Sequence, residues 1–281
     1  MPDVRLAMAT ALPGFTVESV SVLGEGLDNV AFEINNDLLV RFSRSSDRER
    51  TLREVGLLTA LRPVSPLPIP EPLFGPDEAG QNCFAYRKLP GVPLLDAPAC
   101  GDPERIVATL ADFLRTLHAV PVDQVRHLVE TDDQPLPEWR DDAAETYSLI
   151  ADHVPARFRR PVEAFLADAP PPGPAGLVFS HNDLGIEHVL VDPRSSQVTG
   201  IIDWTDAALT DPAYDFGLLF RDLGPLAAPP PELHDRAVFY ARCSLLEDLA
   251  YGIEAGRPRY AEKSLASLDW LFPPPGAGGS R

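Results

Sequence analysis

The feature that most constrains this chain is a change in the period of its hydrophobic pattern near residue 90. Up to that point apolar residues recur mainly every second position, the signature of strands with one face turned inward. Residues 17–23 (VESVSVL), 30–34 (VAFEI) and 38–42 (LLVRF) alternate in this way. The intervening Gly24–Asn29 and Asn35–Asp37 carry turn chemistry, so a three-stranded meander is expected. A helix over 47–61 follows, with Asp47 as its N-cap and Leu52, Val55, Leu58 and Leu61 as its apolar stripe. Residues 82–89 (NCFAYRKL) read as a further strand that runs into Pro90-Gly91, where a hinge is expected. Beyond it the period becomes helical. Ile106, Leu110, Phe113, Leu114 and Leu117 mark a helix over 103–119, and others are expected at 139–152, 155–168, 212–223, 232–255 and 258–271. Within this helical part, 177–180 reads as a short strand. Residues 188–192 and 198–203 read as a hairpin about Pro193–Ser196. The expected fold class is α+β: a small antiparallel β-rich lobe over 1–90, and a larger, mostly helical lobe over 91–281 with an embedded hairpin. A cleft between such lobes is a common place for a ligand.

Bulk properties narrow the function classes. The 281 residues suffice for one large domain or two smaller ones. A formal net charge of -18 repels nucleic acid backbones and anionic membranes, and attracts cationic ligands. Solubility accounts for that charge equally well. No apolar run approaches the roughly 18 residues of a membrane span. The N-terminal stretch, interrupted by Pro13-Gly14, reads as a short amphipathic helix and not as a signal peptide. Cys83, Cys100 and Cys243 are scattered and odd in number, which suits a reducing compartment and places the protein in the cytoplasm. The 31 prolines cluster in surface connections, and the tail GAGGSR is expected to be disordered.

The residues that carry chemistry lie between 180 and 217. His181-Asn182-Asp183 is followed five residues later by His188, and then by Asp203 at the end of the expected hairpin. Phosphoryl transfer asks little covalent chemistry of a protein. It needs a carboxylate to orient and deprotonate an acceptor hydroxyl, and metal ligands to neutralise phosphate charge. A kinase catalytic loop reads His-x-Asp, with a metal ligand five residues after the Asp and a second Asp beyond a short hairpin. Asp183 fits the base, and His188 and Asp203 fit the metal ligands.

The same stretch resembles the aminoglycoside phosphotransferase family, protein-kinase relatives that phosphorylate antibiotics and small metabolites. That family's HGDLHPGNVLVD, GVIDWEDA and DPAYDLA segments are matched here by His181, Asp183, Leu184 and Val189–Asp192, then Gly200–Trp204, then Asp211, Pro212, Tyr214 and Asp215. The resemblance implies a two-lobed protein-kinase-like fold and an ATP- or GTP-dependent transfer, with Mg²⁺, to a hydroxyl of a small cationic acceptor. Asn182 stands where the family has Gly. His188 replaces an Asn that ligates metal through oxygen, and imidazole suits Mg²⁺ less well. Some macrolide-modifying relatives resemble this chain in that His. The alternative is that His188 only braces the loop.

The chain has two lysines, Lys88 and Lys263, and neither falls on the third strand, where kinases hold the α/β-phosphates. Arg41 takes that place, with Glu54 on the next helix as its partner. Arginine binds phosphate bidentately, although it is not equivalent to lysine at a point-charge site. Gly24 and Gly26 would lie in a loop covering the phosphates, and a plain hairpin turn explains them as well. Backbone groups near Lys88 and Leu89 would read the base.

Other residues read as structural. His118 belongs to its helix, Asp211 caps one, and Asp206 either lines the site or is solvated. Glu247, Asp248 and Glu254 lie with Tyr251 on one helix. The resemblance implies an acidic acceptor site there, and an ordinary solvated face is the slightly preferred reading. Two further functions compete with transfer: a kinase relative that binds nucleotide without catalysis, and a metal-dependent hydrolase using His181, Asp183 and His188 as ligands. A housekeeping metabolite kinase is a third variant of the reading.

Overall fold

A computed structural model describes residues 3–26, 29–97 and 101–273. A first helix, α1 (Val4–Ala11), precedes a meander of β1 (Val20–Glu25), β2 (Asn29–Ile34) and β3 (Leu38–Ser43). Then come α2 (Arg48–Leu61), β4 (Pro72–Phe74), the single turn α3 (Pro76–Ala79) and β5 (Cys83–Arg87). These five strands form one antiparallel sheet in the order β1-β2-β3-β5-β4. The chain continues through β6 (Val92–Pro93), α4 (Pro103–His118), α5 (Val122–Val125), β7 (Glu130–Thr131), α6 (Leu136–Ile150) and α7 (Ala156–Ala167). It then forms β8 (Val178–Ser180), β9 (Val189–Asp192), β10 (Gln197–Ile201) and β11 (Ala208–Thr210), and ends with α8 (Pro212–Leu223), α9 (His234–Glu254) and α10 (Pro258–Leu271).

The expected hairpin is present: β9 and β10 pair antiparallel, from Gln197 opposite Asp192 to Ile201 opposite Val189. β6 joins the free edge of β9 just past the hinge. A second small sheet has the order β7-β11-β8, with β11 parallel to β7 and antiparallel to β8. Neither β6 nor β7 nor β11 was expected, because two or three residues carry no readable period. β4 and α3 fall in the proline-rich stretch and escaped notice for the same reason.

Several expected boundaries move, each for a local reason. The first strand starts at Val20, not at 17. The Asn35 side chain captures the preceding backbone, its Oδ1 accepting from the Glu18 and Ser19 amides while Nδ2 donates to Thr16 O. β10 stops at Ile201, short of the expected 203, since Asp203 takes a left-handed φ of 61° that no strand continues. The buried stripe of α2 is Thr51, Glu54, Leu57, Leu58 and Leu61, with Leu52 and Val55 only half-buried. The helix is rotated so that Glu54 faces inward, toward Arg41. Asp47 caps α2 as expected, its side chain accepting from Arg50 N. Cys83 and Cys243 are buried free thiols. Cys100 and the tail 276–281 lie outside the described residues, as do Leu27 and Asp28 of the glycine turn.

The larger core runs from Leu57, Leu58 and Phe84 through Leu110, Phe113 and Trp204 to Leu246 and Leu271. One apolar cluster therefore joins the sheet side to the helical side behind the cleft. Among the described residues no helix is long and apolar enough to cross a membrane.

Candidate active site

A row of facing positions across the first sheet supplies one wall. Gly24 pairs with Ala31, Ala31 with Arg41, and Arg41 with Phe84. Residues in register across adjacent strands share a face, so this row looks into the cleft. Arg41, 6% exposed, is the charged member. Its Nη1 donates to Glu54 Oε1 at 2.8 Å. Its Nη2 donates to Asp203 Oδ1 at 2.9 Å and to Thr205 Oγ1 at 2.7 Å, and the guanidinium lies over the Phe84 ring. Burial opposes this charge, but Glu54 and then Asp203 more than compensate and hold Arg41 protonated. Burial pushes the Glu54 carboxyl up, against the pull of Arg41.

The opposite wall is the segment between β8 and β9. Its geometry is set from beneath by Asp215 in the first turn of α8, a fully buried carboxylate. Asp215 Oδ2 accepts from His181 N at 3.1 Å and pairs with His118 Nε2 at 3.0 Å, while Oδ1 accepts from Asn182 N at 2.9 Å. Burial works against its ionisation, but the bond and charge of His118 together with His181 and the Asn182 amide outweigh it, so its pKa lies below the ordinary value. This clamp fixes Asn182 at φ 63°, in the left-handed region that asparagine tolerates. Asn182 Nδ2 also donates to Asp132 Oδ2 at 3.1 Å. His118 is structural as expected, with the added task of bonding the carboxylate that holds the loop.

His181 is fully buried, its ring 4.6 Å from that of Trp204, and its Nε2 donates to Ile202 O at 3.1 Å. Burial lowers its pKa to about 4, so the ring is neutral. Its other nitrogen, Nδ1, is buried without a hydrogen-bond partner among the described residues. Among the described residues no group of three or more His, Cys, Asp or Glu could hold an ion.

Asp183, His188 and Asp203 come together. His188 Nδ1 is 2.8 Å from Asp183 O and 3.3 Å from its Oδ2. The backbone carbonyl fixes the proton on Nδ1 and leaves Nε2 turned toward Asp203 Oδ2, 3.8 Å away. Burial opposes a charge on His188, but Asp183 and Asp203 raise its pKa overall. Burial pushes Asp183 up to about 7, with His188 pulling down and Glu187 and Asp203 adding to the rise. Asp203 also resists burial through Arg41 and His188, which hold it well below the usual carboxylate range.

A cavity of about 620 Å³ joins these groups. Gly24, Gly26 and Arg41 border it, as do Asp183, His188 and Asp203, and so do Glu247, Asp248 and Tyr251. The expected solvated face of α9 is therefore corrected for Glu247 and Asp248: both face the cavity, and Glu254 alone is exposed. Asp206 lines the cavity and also meets Arg50 at 3.4 Å. Lys88 lies elsewhere, its ammonium paired with Glu33, and Leu89 packs against Gly200 beside the hinge. Neither side chain borders the cavity. Asp211 caps α8 by accepting from Ala213 N at 2.9 Å and is paired with Arg236.

Sequence reasoning missed Lys263. It is buried under the loop, its Nζ donating to Glu187 Oε2 at 2.7 Å and Asp222 Oδ2 at 3.2 Å. Asp222 in turn accepts from Ile186 N at 3.1 Å. The available signal was a lone lysine among apolar positions of a helix, in a chain that otherwise uses arginine.

An antiparallel sheet and a helical lobe meeting over this cleft define a protein-kinase-like α+β fold. The chain belongs to the phosphotransferase enzyme family, whose profile matches residues 19–259. Among solved structures it resembles the GDP and kanamycin complex of APH(2")-IIia, with a TM-score of 0.71 at 23% identity over 95% of this chain and 97% of that one. It also resembles the apoenzyme of macrolide 2'-phosphotransferase MphH from Brachybacterium faecium, with a TM-score of 0.61 at 22% identity over 100% of both chains. The aminoglycoside 3'-phosphotransferase of Streptomyces fradiae is 32% identical over 123 residues, 42% of this chain and 44% of that protein. The chain matches less than half the length of these curated relatives.

Proposed function

We propose that the enzyme transfers the γ-phosphoryl group of ATP or GTP to a hydroxyl of a small cationic compound such as an antibiotic. The observation that carries this reading is the convergence of the Asp183 carboxylate, the His188–Asp203 pair and the Arg41 guanidinium on one cavity.

In this reading Asp183 orients the acceptor hydroxyl and takes its proton as the phosphoryl group arrives. Its raised pKa, about 7, makes it a stronger base than an exposed aspartate and still ionised for much of the time at neutral pH. Arg41 neutralises phosphate charge from the sheet side while Glu54 fixes its orientation. Gly24 leaves room for the phosphates to approach the backbone, and since the Lys88 amide already donates to Asp37 O, the base would be read by the remaining main-chain groups near Leu89.

Of the two donors, the Asp203 oxygen suits Mg²⁺ and the His188 imidazole suits it less well. Asp203 supplies an anionic oxygen, and His188 Nε2 faces the same place and would act as a ligand there only as the neutral imidazole. Mg²⁺ is commonly held by only one or two protein ligands, with phosphate oxygens and water completing its shell. An ion held by Asp203 and His188 would neutralise charge on the transferring group.

The decisive experiment measures nucleotide consumption with Mg²⁺ across a panel of antibiotics and hydroxylated metabolites, for wild type and Asp183→Asn. Loss of the base should cut transfer by about 10²–10⁴-fold with nucleotide affinity unchanged. Wild-type turnover in the variant would refute the role of Asp183. Nucleotide binding without turnover on any alcohol would identify a non-catalytic relative instead.

A further inference from the structure

Two carboxylates of α8, Asp215 and Asp222, stand seven residues apart on one face of that helix, and both hold the loop between β8 and β9. Asp215 takes the amides of His181 and Asn182, just ahead of Asp183. Asp222 takes the Ile186 amide, just beyond it, at 3.1 Å. Asp183 therefore lies between two anchors, and His188 lies shortly past the second. Within that stretch Gly185 N donates to Asp183 O and His188 N to Gly185 O, each at 3.0 Å. The turn is thus closed on itself, and its place is set by what anchors it.

The two anchors are completed differently. Behind Asp215 stands the His118 ring of α4. The Asp222 side chain, fully buried, is met by Arg221 through Nε at 2.6 Å and Nη2 at 3.0 Å, and by Lys263 Nζ of α10 at 3.2 Å. The same ammonium donates to Glu187 Oε2, on the loop itself, at 2.7 Å, and lies 3.3 Å from Asp248 Oδ2. Burial opposes the charge on Lys263, but Asp222, with Glu187 and Asp248, outweighs burial and the nearby Arg221, so the ammonium stays protonated. Glu187 reaches it by folding back over Gly185. A Cβ at Gly185 would press on Glu187 Oε1 and lie 2.8 Å from Oε2, and the nearest atoms it would meet all belong to that carboxyl group. A side chain at 185 and the Glu187–Lys263 bond therefore compete for one place.

We infer that Lys263 is a positioning residue for the proposed transfer: by tying Glu187 and Asp222 to α10, it sets the place of the 183–188 turn, and so of His188 against Asp183 and Asp203. Gly185 is its counterpart, since a residue without a Cβ lets Glu187 fold back to the ammonium. Lys263 does not border the cavity and acts only through these carboxylates. Its effect on rate rests on the phosphotransfer reading; its effect on His188 does not.

The test compares the intact wild-type chain with three variants. Lys263→Met keeps most of the stem without the charge. Gly185→Ala displaces Glu187 and keeps every charge. Lys263→Met/Glu187→Gln removes both partners' charges. Nitrogen-15 spectra of the imidazoles, without nucleotide or metal, should show the His188 ring shifted in all three. The His118 and His181 rings, at the Asp215 anchor, should stay at their wild-type positions. In the transfer assay kcat should fall about 10–100-fold, the usual effect of losing a group that orients a metal-facing residue, with nucleotide KM within about threefold of wild type. The double variant should remain as slow as Lys263→Met. Recovery of wild-type kcat in the double variant would show that Lys263 only neutralises Glu187, and would overturn the inference. So would an unshifted His188 ring in Gly185→Ala, or equal shifts in all three rings. Lys263→Met leaves Arg221 facing three buried carboxylates, a costly change. Should it fail to fold, Gly185→Ala carries both readouts. If the wild-type chain phosphorylates no alcohol, the phosphotransfer reading falls, and the imidazole spectra alone decide the role of Lys263.

Discussion

Replacing Asp215 by asparagine tests the account of how the loop is held. The carboxylate accepts three bonds in a fully buried site: from His118 Nε2 and His181 N at Oδ2, and from Asn182 N at Oδ1. Asparagine has one oxygen. In its better orientation the amide oxygen keeps His118 and the His181 amide, and its NH₂ then confronts the Asn182 N–H. One charge-assisted bond is lost and a buried donor is left without a partner. Hydrogen bonds to charged groups contribute roughly 1.5–3 kcal/mol, and an unsatisfied buried donor costs about 1–3 kcal/mol. These overlap, so a loss of about 2–4 kcal/mol is expected by urea unfolding. Because Asn182 precedes Asp183, the proposed base, transfer should also fall, through kcat more than KM. Removing only the imidazole, in His118→Ala, spares both backbone bonds and should cost less. An Asp215→Asn enzyme within 1 kcal/mol of wild type, with unchanged kcat, would refute the clamp.

Other perturbations address separate parts of the site. Arg41→Met leaves Glu54 buried without its cation and should cost about 3 kcal/mol, at the low end for a broken buried pair because Glu54 can take up a proton. It should also raise the nucleotide KM at least tenfold, and steady-state kinetics with unfolding curves would read both. His181 has a folded pKa of about 4 against an ordinary 6.5. Its neutral buried form is matched in the unfolded chain above pH 6.5, and only the unfolded chain takes up a proton as pH falls below that. Stability should drop by about 3 kcal/mol between pH 6.5 and 4, and His181→Phe should flatten that part of the profile. Gly91 has φ 106°, and a Cβ there would lie 2.7 Å from Val191 O and press on Thr199 Oγ1. Gly91→Ala should lower stability by about 2–3 kcal/mol in thermal unfolding, combining strain with a backbone clash.

The parts of this molecule that were legible in its sequence are those with long periods or fixed spacings. The meander, the long helices and the β9–β10 hairpin each repeat a pattern over several residues. The His181–Asp203 string specifies its own geometry, because a hairpin of fixed length brings Asp203 back to His188. The small strands β6, β7 and β11 were illegible for the converse reason: they are held by partners distant in sequence and have no pattern of their own. The acidic face of α9 fell between these cases. Its i, i+3, i+4, i+7 spacing was readable, but a solvated face shows the same spacing. What turns it inward is the packing of α9 on α8 and α10, and local sequence does not encode that. Lys263 escaped for a related reason. A lysine is read as solvent-facing, and here Glu187, Asp222 and Asp248 offset its desolvation.

The absence of lysine from β3 acquires a physical meaning in this context. A lysine ammonium is a point charge that would have to choose among Glu54, Asp203 and Thr205. The fork of Arg41 serves all three at once, one nitrogen on α2 and the other on the segment after β10. It thereby ties the sheet, its helix and the hairpin together before any nucleotide is present. The same bonds impose a condition on catalysis. The Asp203 oxygen that accepts from Arg41 is Oδ1, whereas Oδ2 faces His188. In the proposed reading the carboxylate would hold a metal through one oxygen while it keeps the arginine on the other. Arg41→Lys should break this division of labour even though charge is conserved. If nucleotide affinity and turnover in that variant matched wild type, the bidentate role of Arg41 would be wrong, and its charge alone would account for the site.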